Sequence, residues 1–388
     1  MKKILMSTAA IAGLAFVAAA PARADEPALQ LGLGGYVSGY AVYTDQDEPA
    51  GTEYREFDFR KDTEVHLNGE VALDNGVTAG AHMELLADRG DATTVQESYM
   101  YLSSAWGRVN FGEEDGIAYL LQVGAPSADD KIDGIRPDIA VFGFSGLSTT
   151  GGVTTPFNLN GTLDYAQDDT GYSNKLTYIT PVFNGFQAGV SYTPTVGDTN
   201  ALTGAAVTNT TGVGTVISPA IAYEDAWEIA ARYEGSFNAI DLALGAGYSH
   251  LSQVEDTLGT DDLDSWNVGV NLGFGAFGVG GAYVNTNNGL DPVTGGDGDT
   301  DTWVAGVDYT TGPYKLGVSY LNQQTDAAAF AGTDDQEADR WTAGVIYEWG
   351  PGMTFRGAVQ YQDVENIGGV TGADTDGTAV TLGTQLEF

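Results

Sequence analysis

The sequence contains no cysteine, few basic residues and no apolar run long enough to span a bilayer as a helix. Without cysteine, a disulfide framework and a thiol nucleophile are both excluded. Only 15 lysines and arginines stand against 53 aspartates and glutamates, which gives a formal net charge of −38 at pH 7. Because nucleic-acid affinity comes largely from Lys and Arg contacts to phosphate, this balance excludes nucleic acid as an expected partner.

The composition is nevertheless that of a folded chain. Aromatic and β-branched residues, which disordered chains lack, are abundant. The 54 glycines and 20 tyrosines indicate many strands and turns. No linker or shift in composition divides residues 25–388, so we expect a single domain.

The first 24 residues have the features of a secretory signal peptide. Lys2 and Lys3 precede a short apolar run, and Ala22 and Ala24 flank a small-residue cleavage site. The run is too short to be a retained membrane helix. We therefore expect cleavage before Asp25.

Short runs of alternating apolar and polar residues recur in pairs from residue 29 onwards. Val65 and Leu67, for example, alternate with Glu64 and His66. Residues 74–76, Asp-Asn-Gly, predict a tight hairpin turn, since Asn-Gly is the strongest short hairpin signal. Seven tight turns and eight longer loops predict sixteen antiparallel strands, an even number as in bacterial outer-membrane barrels. An additional hairpin within residues 150–170 or 195–223 is an alternative.

Aromatic residues are sorted to the two ends of the apolar faces. This pattern predicts the two aromatic girdles of a transmembrane barrel, which must close because lipid cannot satisfy an unpaired edge. A barrel of about sixteen strands encloses an aqueous channel rather than a packed core. The expected girdle residues are Trp227, Trp266, Trp303 and Trp341 at the long-loop ends, and Trp349 and Phe388 at the tight-turn ends.

The alternation lapses over residues 113–172, the third long loop. An irregular segment of this length is usually disordered or functional. We predict that it folds into the barrel and sets the width and charge of a pore. Its candidate constriction acids are Glu113, Glu114, Asp115, Asp129, Asp130, Asp133 and Asp138. The candidate lumen wall comprises Arg60, Glu64, His66, His82, Glu84, Arg108, Lys175, Arg232 and Arg356.

Several local stretches then resemble one family. Residues 174–178 (NKLTY), 181–186 (PVFNGF), 190–192 (VSY) and 107–112 (GRVNFG) are similar to segments around the constriction loop of general diffusion porins of Gram-negative outer membranes, of the alphaproteobacterial type. The resemblance implies an outer-membrane homotrimer that passes small polar solutes. It also implies a basic cluster on the wall opposite the loop. In this chain that cluster has few strong bases, because His66 and His82 stand where stronger cations are expected. A net acidic constriction, selective for cations, is therefore predicted.

An enzyme is the second hypothesis for this sequence. Ser249 and His250 are the only adjacent Ser–His pair considered for an enzyme, but adjacent strand residues point to opposite faces, so we expect no enzyme. A substrate-specific channel or a loop-mediated surface receptor is the alternative.

No cofactor is expected, with calcium bound by the loop acids as a second possibility. The three histidines are interpreted as lumen-facing polar side chains, with metal ligation or pH sensing as the alternative, and lipid and lipopolysaccharide are expected outer-surface partners.

Overall fold

The protein structure, a computed structural model, describes residues 29–48, 53, 55–87, 94–143, 163–196, 223–254, 261–290, 298–330 and 332–388. The expected signal peptide lies outside these residues. So do residues 150–162 and 197–222, which make up most of the two segments that offer an additional hairpin as an alternative.

Sixteen antiparallel strands close into one barrel, as predicted. Each strand pairs with its neighbours along the chain, and the last strand pairs with the first. The strands are β1 (Gln30–Gln46), β2 (Phe57–Ala72), β3 (Thr78–Leu86), β4 (Thr94–Ser104), β5 (Gly107–Glu113), β6 (Asn174–Ile179), β7 (Phe186–Thr195), β8 (Tyr223–Phe237), β9 (Ile240–Gln253), β10 (Leu263–Phe274), β11 (Phe277–Thr286), β12 (Thr300–Thr311), β13 (Tyr314–Thr325), β14 (Gln336–Gly350), β15 (Met353–Glu365) and β16 (Thr375–Glu387).

The seam between β1 and β16 removes the edge that an open sheet would leave. Tyr36 lies opposite Glu387, and the pairing continues to Gln46 opposite Gly377. At the end of the seam the backbone of Gly35 donates to that of Phe388 over 3.1 Å and accepts from it over 3.0 Å. Backbone groups are thereby paired within the sheet, which a lipid environment demands.

Helices are few and short in the described part of the chain. They are α1 (Ile117–Leu120), α2 (Asp130–Asp133) and two 3₁₀ helices, Ala327–Phe330 and Ile367–Gly369. Among the described residues, no helix has the length and hydrophobicity needed to cross a membrane.

The tight turns lie where the sequence predicted them. Between β2 and β3, the backbone N–H of Leu73 donates to the carbonyl of Val77 over 2.8 Å. Gly76 in this turn has φ of +79°, a conformation that glycine adopts without strain. Because successive strands are antiparallel, all seven tight turns fall at one end of the barrel and the long loops at the other.

The outer wall is apolar and bordered by aromatic rings. Rings contact one another across neighbouring strands at the long-loop end: Tyr320 lies 4.9 Å from Trp303 and 4.3 Å from Trp341, between ring centroids. The six predicted girdle residues are all exposed on this surface: Trp227, Trp266, Trp303, Trp341, Trp349 and Phe388. Large aliphatic residues such as Ile229 and Leu382 are exposed between the two rows.

The main hydrophobic cluster lies inside the barrel, against the wall. It joins wall residues such as Tyr40 and Leu321 to Ile132, Phe142 and Leu163 of the loop between β5 and β6. The loop is therefore packed onto the wall by apolar contacts as well as by the polar contacts described below.

Candidate functional site: the pore and its inner loop

The described parts of the long loop lie in the lumen, as the sequence predicted. β5 ends at Glu113 and β6 begins at Asn174, so the loop covers residues 114–173, one residue later at each end than expected. Residues 114–143 and 163–173 are described. We call these two described segments together the inner loop.

A row of wall glycines allows the inner loop to lie directly against the barrel. A Cβ atom on Gly269 would overlap the carbonyl oxygen of Val123, and one on Gly306 would overlap the carbonyl oxygen of Pro126. Glycine inside a strand often marks such a close approach of another backbone. The inward-facing glycines in contact with residues 117–128 are Gly189, Gly245, Gly247, Gly269, Gly280, Gly306, Gly317 and Gly344, on strands from β7 to β14.

Beyond this row, the loop turns through α2, which is held by its own carboxylates. Asp129 caps the helix by accepting from the backbone N–H of Lys131 over 3.2 Å. Asp133 accepts from the backbone N–H groups of Ala128 and Asp129, over 3.0 and 2.8 Å, and from the Ser319 hydroxyl over 2.5 Å. These bonds fix the short helix to β13 and satisfy N–H groups that a helix start leaves unpaired.

Arg356 on β15 ties the same turn to the wall. Its Nη1 lies 2.6 Å from Asp129 Oδ1 and 2.8 Å from Asp130 Oδ1. The Tyr40 hydroxyl donates to the second oxygen of Asp129 over 2.9 Å. Asp129 therefore has partners on β15, β1 and its own helix, and it is an anchor of the loop rather than a free charge.

Lys131 reaches from α2 to the opposite side of the seam. Its Nζ lies 2.8 Å from Asp62 Oδ2 on β2 and 2.6 Å from Asp138 Oδ2 on the loop. The same ammonium lies 3.8 Å from the centroid of the Tyr36 ring. The loop is thus bound to the wall through charge pairs on both sides of α2.

Arg136 joins the two described limbs of the inner loop. It forms a two-bond contact with Asp115, over 2.6 and 3.1 Å, and a third bond of 2.8 Å with Asp168. Its guanidinium carbon lies 4.0 Å from the centroid of Tyr119. Burial lowers the pKa of Arg136, but Asp115, Tyr119 and Asp168 outweigh it and hold the pKa above its usual range.

Two cations of the wall hold residues 163–173 of the inner loop and also contact its first part, residues 114–143. Lys175 donates to the carbonyl of Glu114, to that of Gly171 over 2.6 Å and to that of Ser173 over 3.0 Å. Arg340 on β14 donates to the carbonyl of Leu163 and, over 3.3 Å, to that of Asp133. Sequence reasoning missed Arg340, although its position next to the outward Trp341 was a signal that it faces inward.

The seven predicted constriction acids are placed in two ways. Glu113, Glu114, Asp115, Asp129 and Asp133 are buried against the wall or the loop, whereas the side chains of Asp130 and Asp138 are 53% and 40% exposed. Burial raises the pKa of Glu114 and Asp133, and raises that of Asp164 to about 6. The negative charge of the loop therefore falls as the pH decreases towards 6. Among the seven acids, Asp130 and Asp138 are the two that face water most.

The predicted wall residues lie on the inward face, where they form separate groups. Arg108 packs over the Tyr101 ring at 3.9 Å and donates to Asn110 over 2.6 Å. Arg232 pairs with Glu234 over 2.5 Å, and Arg60 lies 3.9 Å from Asp58. The remaining members are Glu64, His66, His82 and Glu84, which contact one another on β2 and β3.

His250 does not face the lumen, so that part of the histidine interpretation is wrong. It shares the outward face of β9 with Tyr248 and lies 2.8 Å from Asp264, through Nδ1. Ser249 is buried on the inward face, where it accepts from the amide of Gln167 over 2.5 Å. The two side chains point to opposite faces, as predicted, and cannot act together.

The inside of the barrel carries more acid than base. Among the described residues the buried acids are Asp62, Glu97, Glu113, Glu114, Asp115, Asp129, Asp133, Asp168 and Glu228. The buried bases are Lys131, Lys175, Arg340 and Arg356. All four buried bases contact or belong to the inner loop, as several of the buried acids do.

Comparison with known proteins agrees with this architecture. The profile of the Gram-negative porin family matches residues 7–367. No curated protein sequence matches the chain significantly.

Solved structures share the fold at low sequence identity. An anion-selective porin from Comamonas acidovorans is 18% identical with a TM-score of 0.61, over 93% of this chain and 100% of the other. OmpT of Vibrio cholerae in its trimer form is 12% identical with a TM-score of 0.58, over 93% and 100% of the chains. OmpF of Salmonella typhi, in complex with daunomycin, is 18% identical with a TM-score of 0.58, over 92% and 98%. With its closed barrel, outward girdles and inner loop, the chain belongs to the Gram-negative porin family, whose members are channels of the outer membrane.

Proposed function

We propose that this porin forms a water-filled channel for passive diffusion of small hydrophilic solutes and ions, that it prefers cations, and that it works without a cofactor. The observation that carries the proposal is the inner loop. It lies against the wall glycines from β7 to β14. On the wall formed by β2 and β3, Glu64 and Glu84 lie beside His66 and His82. A solute passing between the loop and this wall meets an acidic surface.

The preference for cations rests on the charge balance rather than on the fold. The similar porin from Comamonas acidovorans is described as anion-selective, so the same architecture serves either charge. In this chain the buried bases pair with loop carboxylates and carbonyls, as Arg356 does with Asp129. The carboxylates of Asp130 and Asp138 remain partly exposed, and acidic rings favour cations.

A homotrimer is part of the proposal. The described outward positions of β3, β4 and β5 carry neither tryptophan nor tyrosine, and they expose Met83, Met100, Leu102 and Phe111. Exposed aromatic rings lie instead on β1 and β2, at Tyr43, Phe57 and Phe59, and on strands from β7 onwards. A face without outward tryptophan or tyrosine suits contact with another protein subunit better than contact with lipid headgroups. OmpT of Vibrio cholerae, which has the same fold, is known in a trimer form.

Lipid and lipopolysaccharide are the partners that we propose for the remaining outer surface. Trp266 and Trp303 are exposed at the long-loop ends of their strands, a position that suits amphipathic rings at the headgroup level. Aspartates extend just beyond them, since Tyr248 donates to Asp264 and Tyr320 to Asp339, each over 2.5 Å. These acids could reach anionic lipid phosphates through shared divalent cations.

Removing the two exposed loop acids tests the selectivity. In Asp130→Asn/Asp138→Asn we expect the reversal potential in a potassium chloride gradient to move towards zero. A unit charge at 4 Å contributes about 1 kcal/mol to the energy of an ion in water, so the cation-to-anion permeability ratio should fall several-fold. Asp74→Asn/Asp261→Asn, which removes two exposed acids outside the lumen, is the matched control. An unchanged reversal potential in the first variant would place the selectivity elsewhere.

A further inference from the structure

Two histidines and three glutamates meet on the wall that faces the inner loop. His66 on β2 lies directly opposite Glu84 on β3, and Glu84 lies directly opposite Glu97 on β4. Like charges directly across a strand pair destabilise a sheet. A bulge in the β3–β4 pairing begins at this point, after Glu84. The arrangement therefore has a local cost that a bound cation would relieve.

Each imidazole is oriented by a bond from one of its nitrogens. Nε2 of His66 lies 2.6 Å from Glu64 Oε1, and Nδ1 of His82 lies 2.8 Å from Asn68 Oδ1. Since these oxygens accept, the bonded nitrogens carry the hydrogens. In the neutral imidazoles, Nδ1 of His66 and Nε2 of His82 are then left with free lone pairs.

The two lone-pair nitrogens converge on the same carboxylate without bonding to it. Nδ1 of His66 lies 3.6 Å and Nε2 of His82 lies 3.8 Å from Glu84 Oε2. Nε2 of His82 also lies 3.6 Å from Glu97 Oε2. These distances are too long for hydrogen bonds.

The spacing fits a small divalent metal ion. Bonds of about 2.0–2.2 Å in a tetrahedral site place neighbouring ligand atoms about 3.3–3.6 Å apart. The ligand atoms of His66, His82 and Glu84 all lie within 4.8 Å of one another. Only a small contraction would bring them into place around an ion.

We propose that His66, His82 and Glu84 bind a divalent transition-metal ion such as Zn²⁺ on the pore wall, with Glu97 or water as the fourth ligand. Two imidazoles with carboxylates suit zinc and its neighbours, whereas magnesium and calcium prefer oxygen alone. Glu64 and Asn68 act as the outer partners that orient metal-binding histidines. The side chains of His66, His82 and Glu84 are 13–14% exposed, so an ion in the lumen can reach them.

The site is tested first by direct binding, which does not depend on the channel function. Purified protein, dialysed against Zn²⁺ alone, should bind one tight equivalent per chain. His82→Asn should lose that equivalent, and Glu64→Gln should weaken it about 10–100-fold, as outer-partner substitutions do. His250→Asn removes the outward histidine and should bind as the native protein does. Undiminished binding in His82→Asn and in Glu84→Gln would overturn the site, as would loss of the tight equivalent in His250→Asn or equal competition by Ca²⁺.

Conductance gives a second readout, which also rests on the proposed channel. Zn²⁺ at the concentration that fills the site should reduce the cation current of the native protein and leave that of His82→Asn unchanged. Tight binding without any change in current would support the metal site, and it would count against this wall as part of the permeation path. The failure of one proposal is thus distinguishable from the failure of the other.

Discussion

Gly269→Ala/Gly306→Ala is expected to lower the single-channel conductance and increase the current noise of the open channel. The new methyl groups would overlap the carbonyl oxygens of Val123 and Pro126. Neither obstacle is a flexible side chain, so the inner loop must move away from the wall and into the lumen. Overpacking of this kind costs about 1–3 kcal/mol per site, which is enough to loosen a loop without unfolding a barrel.

Gly273→Ala is the matched control for this experiment. Gly273 lies on the same strand and the same face as Gly269, but its Cβ would be 3.4 Å from that of Asp241, an ordinary contact. We expect its conductance to equal that of the native protein. Equal conductance in the double variant would show that the loop does not depend on the glycine row for its position.

Arg356→Met is the substitution with the largest expected effect on stability. Asp129 and Arg356 have side chains only 1% and 6% exposed, and their charges neutralise each other. Removing one partner of a buried ion pair typically costs about 3–5 kcal/mol, because the other charge is left uncompensated. We expect urea unfolding, followed by tryptophan fluorescence, to shift to lower urea, and the inner loop to become open to proteolysis.

The double variant Arg356→Met/Asp129→Asn separates this explanation from simple loss of packing. Without the charge on Asp129, the cost of losing Arg356 should be smaller, with a coupling of about 0.5–3 kcal/mol. Tyr40 can still donate to the amide oxygen of the substituted residue. Purely additive effects of the two substitutions would mean that the pair does not anchor the loop.

The architecture was predictable because strand alternation and turn chemistry are local signals. Val65 and Leu67 against Glu64 and His66 already distinguish the two faces of β2, and the glycine of residues 74–76 marks a turn. The positions of the girdle residues follow from the same alternation. These features depend only on neighbours in sequence, so they could be read without knowing the fold.

The arrangement inside the lumen depends on contacts between residues far apart in the chain. Nothing near Lys131 indicates that it pairs with Asp62, and nothing near Asp133 indicates Ser319 as its partner. The acids of the loop were therefore predicted as one group facing the pore, although burial separates Asp129 and Asp133 from Asp130. Glycine was also read only as a turn and strand residue, because its role on the wall appears only when the loop lies against it.

Single-channel recording of the purified native protein in a planar bilayer, with a salt gradient across it, is the decisive experiment on the proposed channel. We expect large, steady conductance steps in groups of three and a reversal potential of the sign that cation preference requires. Absence of steps, or small openings blocked by one particular solute, would contradict a general diffusion pore and favour a specific channel or a surface receptor. An anion-selective reversal potential would contradict the role given to the acidic wall.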